Sequence, residues 1–115
     1  MIKTRVRDPV IKTLARALNA RQLTEVPVTV KLCRGYYVVQ GDTGMGFGVY
    51  IPSEGLILLA DIAPGIEREI ARKEFFAQNL GHEYKHHLQH VNGEPYDEDS
   101  ADAFAQEFMK SVIAV

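Results

Sequence analysis

Near the start of the chain, apolar residues recur at helical spacing: Ile11, Leu14 and Leu18 fall on one face. Asp8 precedes them as a cap for free N–H groups, and Pro9 suits the first helical position. The pattern predicts a helix over 8–23, with Val26-Pro27 ending the region. The period then changes to two. Val28, Val30 and Leu32 alternate with Thr29 and Lys31, as on a half-buried strand. Residues 36–40 read as a second strand and 46–51 as a third. The almost wholly apolar stretch 56–60 reads as a fourth and central one. Gly- and Pro-containing segments at 41–44 and 52–55 supply turns, and connections this short predict an antiparallel meander.

Helical spacing returns after Gly65. One long helix, or two joined, is expected over 66–91, stopped by Asn92-Gly93 and kept from restarting by Glu94-Pro95. A last helix is expected over 97–113, with Asp97, Glu98 and Asp99 in its first turn, where the helix dipole favours negative charge. The order is helix, sheet, helix, helix. It predicts an α+β fold: an N-terminal helix, an antiparallel or mixed sheet of three to four strands, and two C-terminal helices. A length of 115 residues suits one domain, 1–115.

Charge narrows the partners. The net charge of −2 provides no field that favours nucleic acid or anionic lipid. The basic residues Lys3, Arg5, Arg7, Lys12, Arg16 and Arg21 are interspersed with apolar ones, as on a helix surface. Neither nucleic acid nor membrane is therefore an expected partner. A lone cysteine, Cys33, forms no internal disulfide and fits a reducing compartment. With no apolar run of transmembrane length and no secretory leader pattern, a cytoplasmic protein is expected.

The chemistry concentrates in His82-Glu83-Tyr84-Lys85-His86, an H-E-x-x-H match. Residues four apart lie on one helix face, so two imidazoles can reach one tetrahedral zinc ion. Glu83 stands beside the pair, placed to act as general base on a zinc-bound water. Around the helix, at about 100° per residue, His82 and His86 fall between a core sector and a solvent sector. The core sector holds Phe76, Ala77, Leu80, Leu88 and Val91; the solvent sector holds Gln78, Lys85 and Gln89. Catalytic zinc takes three protein ligands and keeps one open position. Glu98 and Asp102 lie within the apolar stripe of the last helix, where a carboxylate is costly unless paired or metal-bound. Glu98 is therefore the expected third ligand. Asp102, one turn on, is expected to accept a hydrogen bond from a ligand histidine. His90 lies too far along the helix to share the zinc with His82, and His87 turns toward the core sector.

H-E-x-x-H followed by E-x-x-x-D resembles the gluzincin metallopeptidases. The stretch 80–109 is similar to their ImmA/IrrE-type branch, and the chain length resembles the minigluzincins. The resemblance implies zinc held by His82, His86 and Glu98, with Glu83 as base and Asp102 as supporting acid. It implies a peptide or protein substrate, of repressor type in the ImmA/IrrE branch. It also implies a cleft rim on the third strand, with Gly46, Phe47 and Gly48 at the substrate, plain hairpin flexibility being the other reading of the glycines; Tyr96 is a candidate oxyanion donor, with packing its favoured role. Lys85 stands where the family usually carries a small residue. Gln89 and Asn92 exclude the metzincin pattern, which needs Gly and His there.

Three readings follow. The first is a zinc metallopeptidase, latent if the segment 110–115 covers its cleft as the minigluzincin resemblance suggests. The second is a metal-binding regulatory module without general protease activity. The third, a closed structural zinc site, lacks the cysteines such sites favour.

Overall fold

A computed structural model describes residues 1–33, 38–40, 44–60 and 69–113, without the side chains of 38–40, 44–46, 69 and 70. The expected strand residues 36 and 37, the turn at 41–43, the helix start at 66–68 and the end at 114–115 lie outside them.

Ile2–Thr4 forms β1. Too short to show a period, it holds its place through α1, Pro9–Ala20: the Asn19 side chain accepts from Ile2 N at 2.7 Å and donates to Ile2 O at 3.2 Å. Asp8 caps α1, accepting from Val10 N at 2.9 Å and Ile11 N at 3.4 Å. The helix ends at Ala20, short of the expected residue 23. Gln22 takes φ 52°, a left-handed conformation that cannot continue it.

β2, Val28–Cys33, lies parallel to β1, so α1 is the crossover between them. Val38–Gln40 (β3) and Gly44–Gly46 (β4) pair as a separate antiparallel hairpin. β5, Gly48–Ile51, turns through Pro52–Glu54 and Gly55, at φ 57°, into β6, Leu56–Ala60. β6 pairs antiparallel with β5 and parallel with β2, giving the order β1-β2-β6-β5. The fold is α+β, as expected, but the sheet is mixed and not a meander. The segment after β2 leaves the sheet for the β3–β4 hairpin, and β6 returns beside β2 in the same direction. The apolar β6 is central, with Ile57 and Leu59 fully buried. The expected third strand is divided: Gly46 belongs to β4, and only residues from Gly48 onward join the main sheet.

α2, Glu69–Val91, and α3, Glu98–Ile113, form a helical hairpin. Gly93, at φ 68°, ends α2, and Glu94 N donates to Gln89 O at 2.8 Å. Asp97 caps α3, accepting from Asp99 N at 3.0 Å and Ser100 N at 3.2 Å. Those bonds hold its carboxyl below the usual carboxylate range. One core joins Ile11, Leu14 and Leu18 of α1, Val28 and Val30 of β2, Ile57 and Leu59 of β6, Phe76, Leu80 and Tyr84 of α2, and Phe108 of α3. Among the described residues, no helix is long and apolar enough to cross a membrane.

Candidate metal centre

His82 and His86 sit one turn apart on α2, and their Nε2 atoms are 3.1 Å from each other. The Glu98 carboxylate spans both, with Oε2 at 3.0 Å from His82 Nε2 and Oε1 at 2.9 Å from His86 Nε2. On the other side of the His82 ring, Nδ1 is 2.8 Å from Asp102 Oδ1. His86 Nδ1 is 2.9 Å from Gln89 Oε1. The structure thus brings together His82, His86, Glu98 and Asp102.

Glu98 and Asp102 are not buried in the helix seam, as their place in the apolar stripe predicts. Their side chains are 62% and 70% exposed. Ala101 and Ala105 fill the seam, and the two carboxylates reach the histidines from its rim. Their placement is therefore one of direction, toward two ring nitrogens, and not of desolvation.

Carboxylates only accept hydrogen bonds, and His82 faces one at each nitrogen, Asp102 at Nδ1 and Glu98 at Nε2. An ion held at Nε2 would leave the proton of the neutral ring on Nδ1, toward Asp102. The two Nε2 atoms lie 3.1 Å apart, and each is 2.9 to 3.0 Å from a different oxygen of the Glu98 carboxylate. Zinc bonds to N and O of about 2.0–2.1 Å imply tetrahedral edges of roughly 3.3 Å, close to the 3.1 Å between the two Nε2 atoms, with the Glu98 carboxylate within reach of both. Histidine and carboxylate donors also suit other divalent first-row metals.

Glu83 belongs to the same cluster, since ligand atoms of His82, Glu83 and His86 lie within 4.8 Å of one another. Its situation differs from that of Glu98. It is only 6% exposed, and its Oε2 has no hydrogen-bond partner. Burial pushes its carboxyl up to about 7, against His82, which lowers it; Glu98 adds to the rise. Glu98 spans both rings, while Glu83 remains beside them with a basic oxygen uncommitted. β5 packs against it: a Cβ on Gly48 would lie 3.2 Å from Glu83 Cγ. A groove of about 400 Å³ opens there, lined by Phe47, Gly48, Phe75, Gln78, Asn79, His82, Glu83 and Asp102. Of the strand residues expected at a substrate, Phe47 and Gly48 line it. A larger cavity of about 600 Å³, bordered by Met1, Asn19, Leu23 and Tyr84, includes none of the clustered groups.

Tyr96 stacks face to face on His86, with ring centroids 3.8 Å apart and planes at 5°. Desolvation, then the charges of Glu83 and Glu98, push its hydroxyl up to about 12, so it remains an O–H donor at neutral pH. His87 is buried against β5. Its Nε2 meets Val26 O at 3.1 Å, and Tyr50 Oη meets Nδ1 at 2.9 Å. A carbonyl accepts only, so Nε2–H donates to Val26 and Tyr50 donates to Nδ1. Burial lowers the pKa of that ring, which favours its neutral form. His90 is exposed, with Tyr50 edge-on to it at 6.1 Å.

Gln89, assigned by periodicity to the solvent sector, is instead 2% exposed. The hairpin folds the segment before α3 over it. Its position three residues after His86 was the available signal, because side chains at that spacing are helix neighbours. The described part of the expected cleft cover, Lys110 to Ile113, lies on α3 beside Lys73 and Glu74. There Lys73 Nζ donates to Val112 O at 3.1 Å.

No family model, curated protein or solved structure matches this chain.

Proposed function

We propose that this protein is a zinc-dependent peptide hydrolase of gluzincin type, resembling the ImmA/IrrE-like and minigluzincin proteins. The observation that carries the reading is the pair of Nε2 atoms bridged by the two oxygens of the Glu98 carboxylate, with a buried, unpartnered Glu83 oxygen alongside. His82, His86 and Glu98 would hold the ion. Bound there, zinc supplies a Lewis acid that polarises the scissile carbonyl and acidifies water.

The remaining chemistry belongs to the chain. Glu83 takes a proton from the attacking water and returns it to the leaving amine. A carboxyl at about 7 is suited to both transfers near neutral pH. Asp102 holds the His82 proton on Nδ1. The groove beside Phe47 and Gly48 receives the peptide, and the Tyr96 hydroxyl, which stays protonated, is a donor for the developing oxyanion. The proposed setting is the cytoplasm, and the proposed partner a peptide or protein substrate.

The test joins metal analysis to peptide cleavage. Purified protein should carry or take up about one zinc per chain, which His82→Ala or Glu98→Ala abolishes. Cleavage of a peptide library should disappear in Glu83→Gln while the zinc remains. Failure to bind zinc overturns the proposal. Zinc without cleavage would instead favour a metal-binding regulatory module.

A further inference from the structure

We infer that Gln89 is a positioning residue for the metal centre: one side-chain amide sets which nitrogen of His86 carries the proton and docks the segment that presents Glu98. The inference rests on the proposed metal centre and adds to it a residue outside the H-E-x-x-H and E-x-x-x-D patterns.

Gln89 Oε1 accepts from Asp97 N at 3.2 Å, and Gln89 Nε2 donates to Asp97 O at 3.1 Å. A backbone N–H only donates and a backbone C=O only accepts, so the orientation of this buried amide is fixed by Asp97. Oε1 must then be the atom 2.9 Å from His86 Nδ1. An amide oxygen cannot donate, so this contact needs the ring proton on Nδ1. The neutral ring then offers its Nε2 lone pair to the proposed ion, on the side of Glu98 and His82. Asp97 thus determines the amide, and the amide holds the proton on Nδ1 against Glu98 Oε1, an acceptor 2.9 Å from Nε2.

The same two bonds hold the residue that precedes Glu98 and caps α3. Tyr96, one residue earlier, closes on the His86 ring by stacking. Ring, amide and the start of α3 therefore form one unit. Without the amide, His86 can turn or change tautomer, and the first turn of α3 loses its attachment to α2.

The test uses the full chain in three forms: wild type, Gln89→Met and Gln89→Glu. Methionine keeps the volume and loses all three bonds. Glutamate keeps both acceptor contacts and loses only the donor to Asp97 O. The His86 tautomer is read by ¹⁵N NMR on metal-free protein at mildly alkaline pH, and zinc affinity by chelator competition. The wild type should show Nδ1–H, and Gln89→Met a mixture or Nε2–H. Zinc affinity should fall about 10- to 100-fold in Gln89→Met and only a few-fold in Gln89→Glu. An Nε2–H wild type overturns the inference, as does equal zinc affinity in folded Gln89→Met and wild type. Equal losses in Gln89→Glu and Gln89→Met overturn it too, and they keep the test decisive if the methionine variant unfolds. A wild type that binds no zinc overturns the proposed function, while the tautomer still decides the role of Gln89.

Discussion

Gly81 of α2 meets Ala105 of α3 almost backbone to backbone: a Cβ on Gly81 would lie 3.1 Å from Ala105 Cα and 3.3 Å from Phe108 Cδ2. The contact immediately precedes His82, so it sets the helix separation across which Asp102 reaches the His82 ring at 2.8 Å.

Replacing Gly81 divides by size. Alanine improves helix propensity by about 1 kcal/mol, which roughly offsets a clash of a few tenths of an ångström. Valine adds bulk without that compensation and should cost about 1–3 kcal/mol. Urea titration should therefore find Gly81→Ala close to wild type and Gly81→Val clearly destabilised. Gly81→Val should also bind zinc more weakly, because α3 carries both carboxylates.

Gly48 separates catalysis from metal binding. The three atoms nearest a Cβ there would be Leu59 Cδ2 at 3.0 Å, Glu83 Cγ at 3.2 Å and Leu58 O at 3.5 Å, none of them on His82, His86 or Glu98. Gly48→Ala should displace Glu83 and lower kcat on a cleaved peptide by roughly tenfold or more, since misplacing a catalytic group is costly. Chelator competition should return an unchanged zinc affinity.

Glu83 should also mark the pH dependence of stability in metal-free protein. Its folded pKa of about 7 exceeds the ordinary 4.5, so the native state binds this proton more tightly than the unfolded state. The resulting stabilisation is complete below about pH 4.5 and lost as pH rises to about 7, a span of at most about 3 kcal/mol. The amide introduced by Glu83→Gln does not titrate. The stability of Glu83→Gln relative to wild type should thus rise between pH 5 and pH 8, and a constant difference would refute the assignment.

Asp8 should behave in the opposite sense. Burial alone would raise its pKa, but the Arg72 hydrogen bond and charge, with the N–H groups of Val10 and Ile11, bring it below 3.8. Its stabilisation is present above about pH 4 and lost as pH falls through the depressed value. Asp8→Ala removes the α1 cap and the tie to α2, at an expected cost of about 1–2 kcal/mol at pH 7. Thermal melts should show the gap narrowing toward pH 2.

Much of this architecture is written in short-range spacing. A four-residue step along a helix places His82 and His86 on one face whatever surrounds them, because 3.6 residues make a turn. The Asp8 cap, the Gly93 stop, the apolar stripes and the alternation of β2 are equally local, and all can be read without coordinates. The direction of β6 beside β2 is not local. Nothing in three residues of β1 announces that α1 is a crossover, and strand pairing is decided by which apolar faces meet across the chain. The site divides in the same way. Helix geometry specifies the histidine pair. Packing of α2 against α3 alone determines that an exposed Glu98 bridges both rings, and that Gln89 lies under Asp97 and not in solvent. Packing of α2 against β5 buries Glu83. Each of these depends on the distance between elements remote in sequence, which side-chain periodicity does not encode.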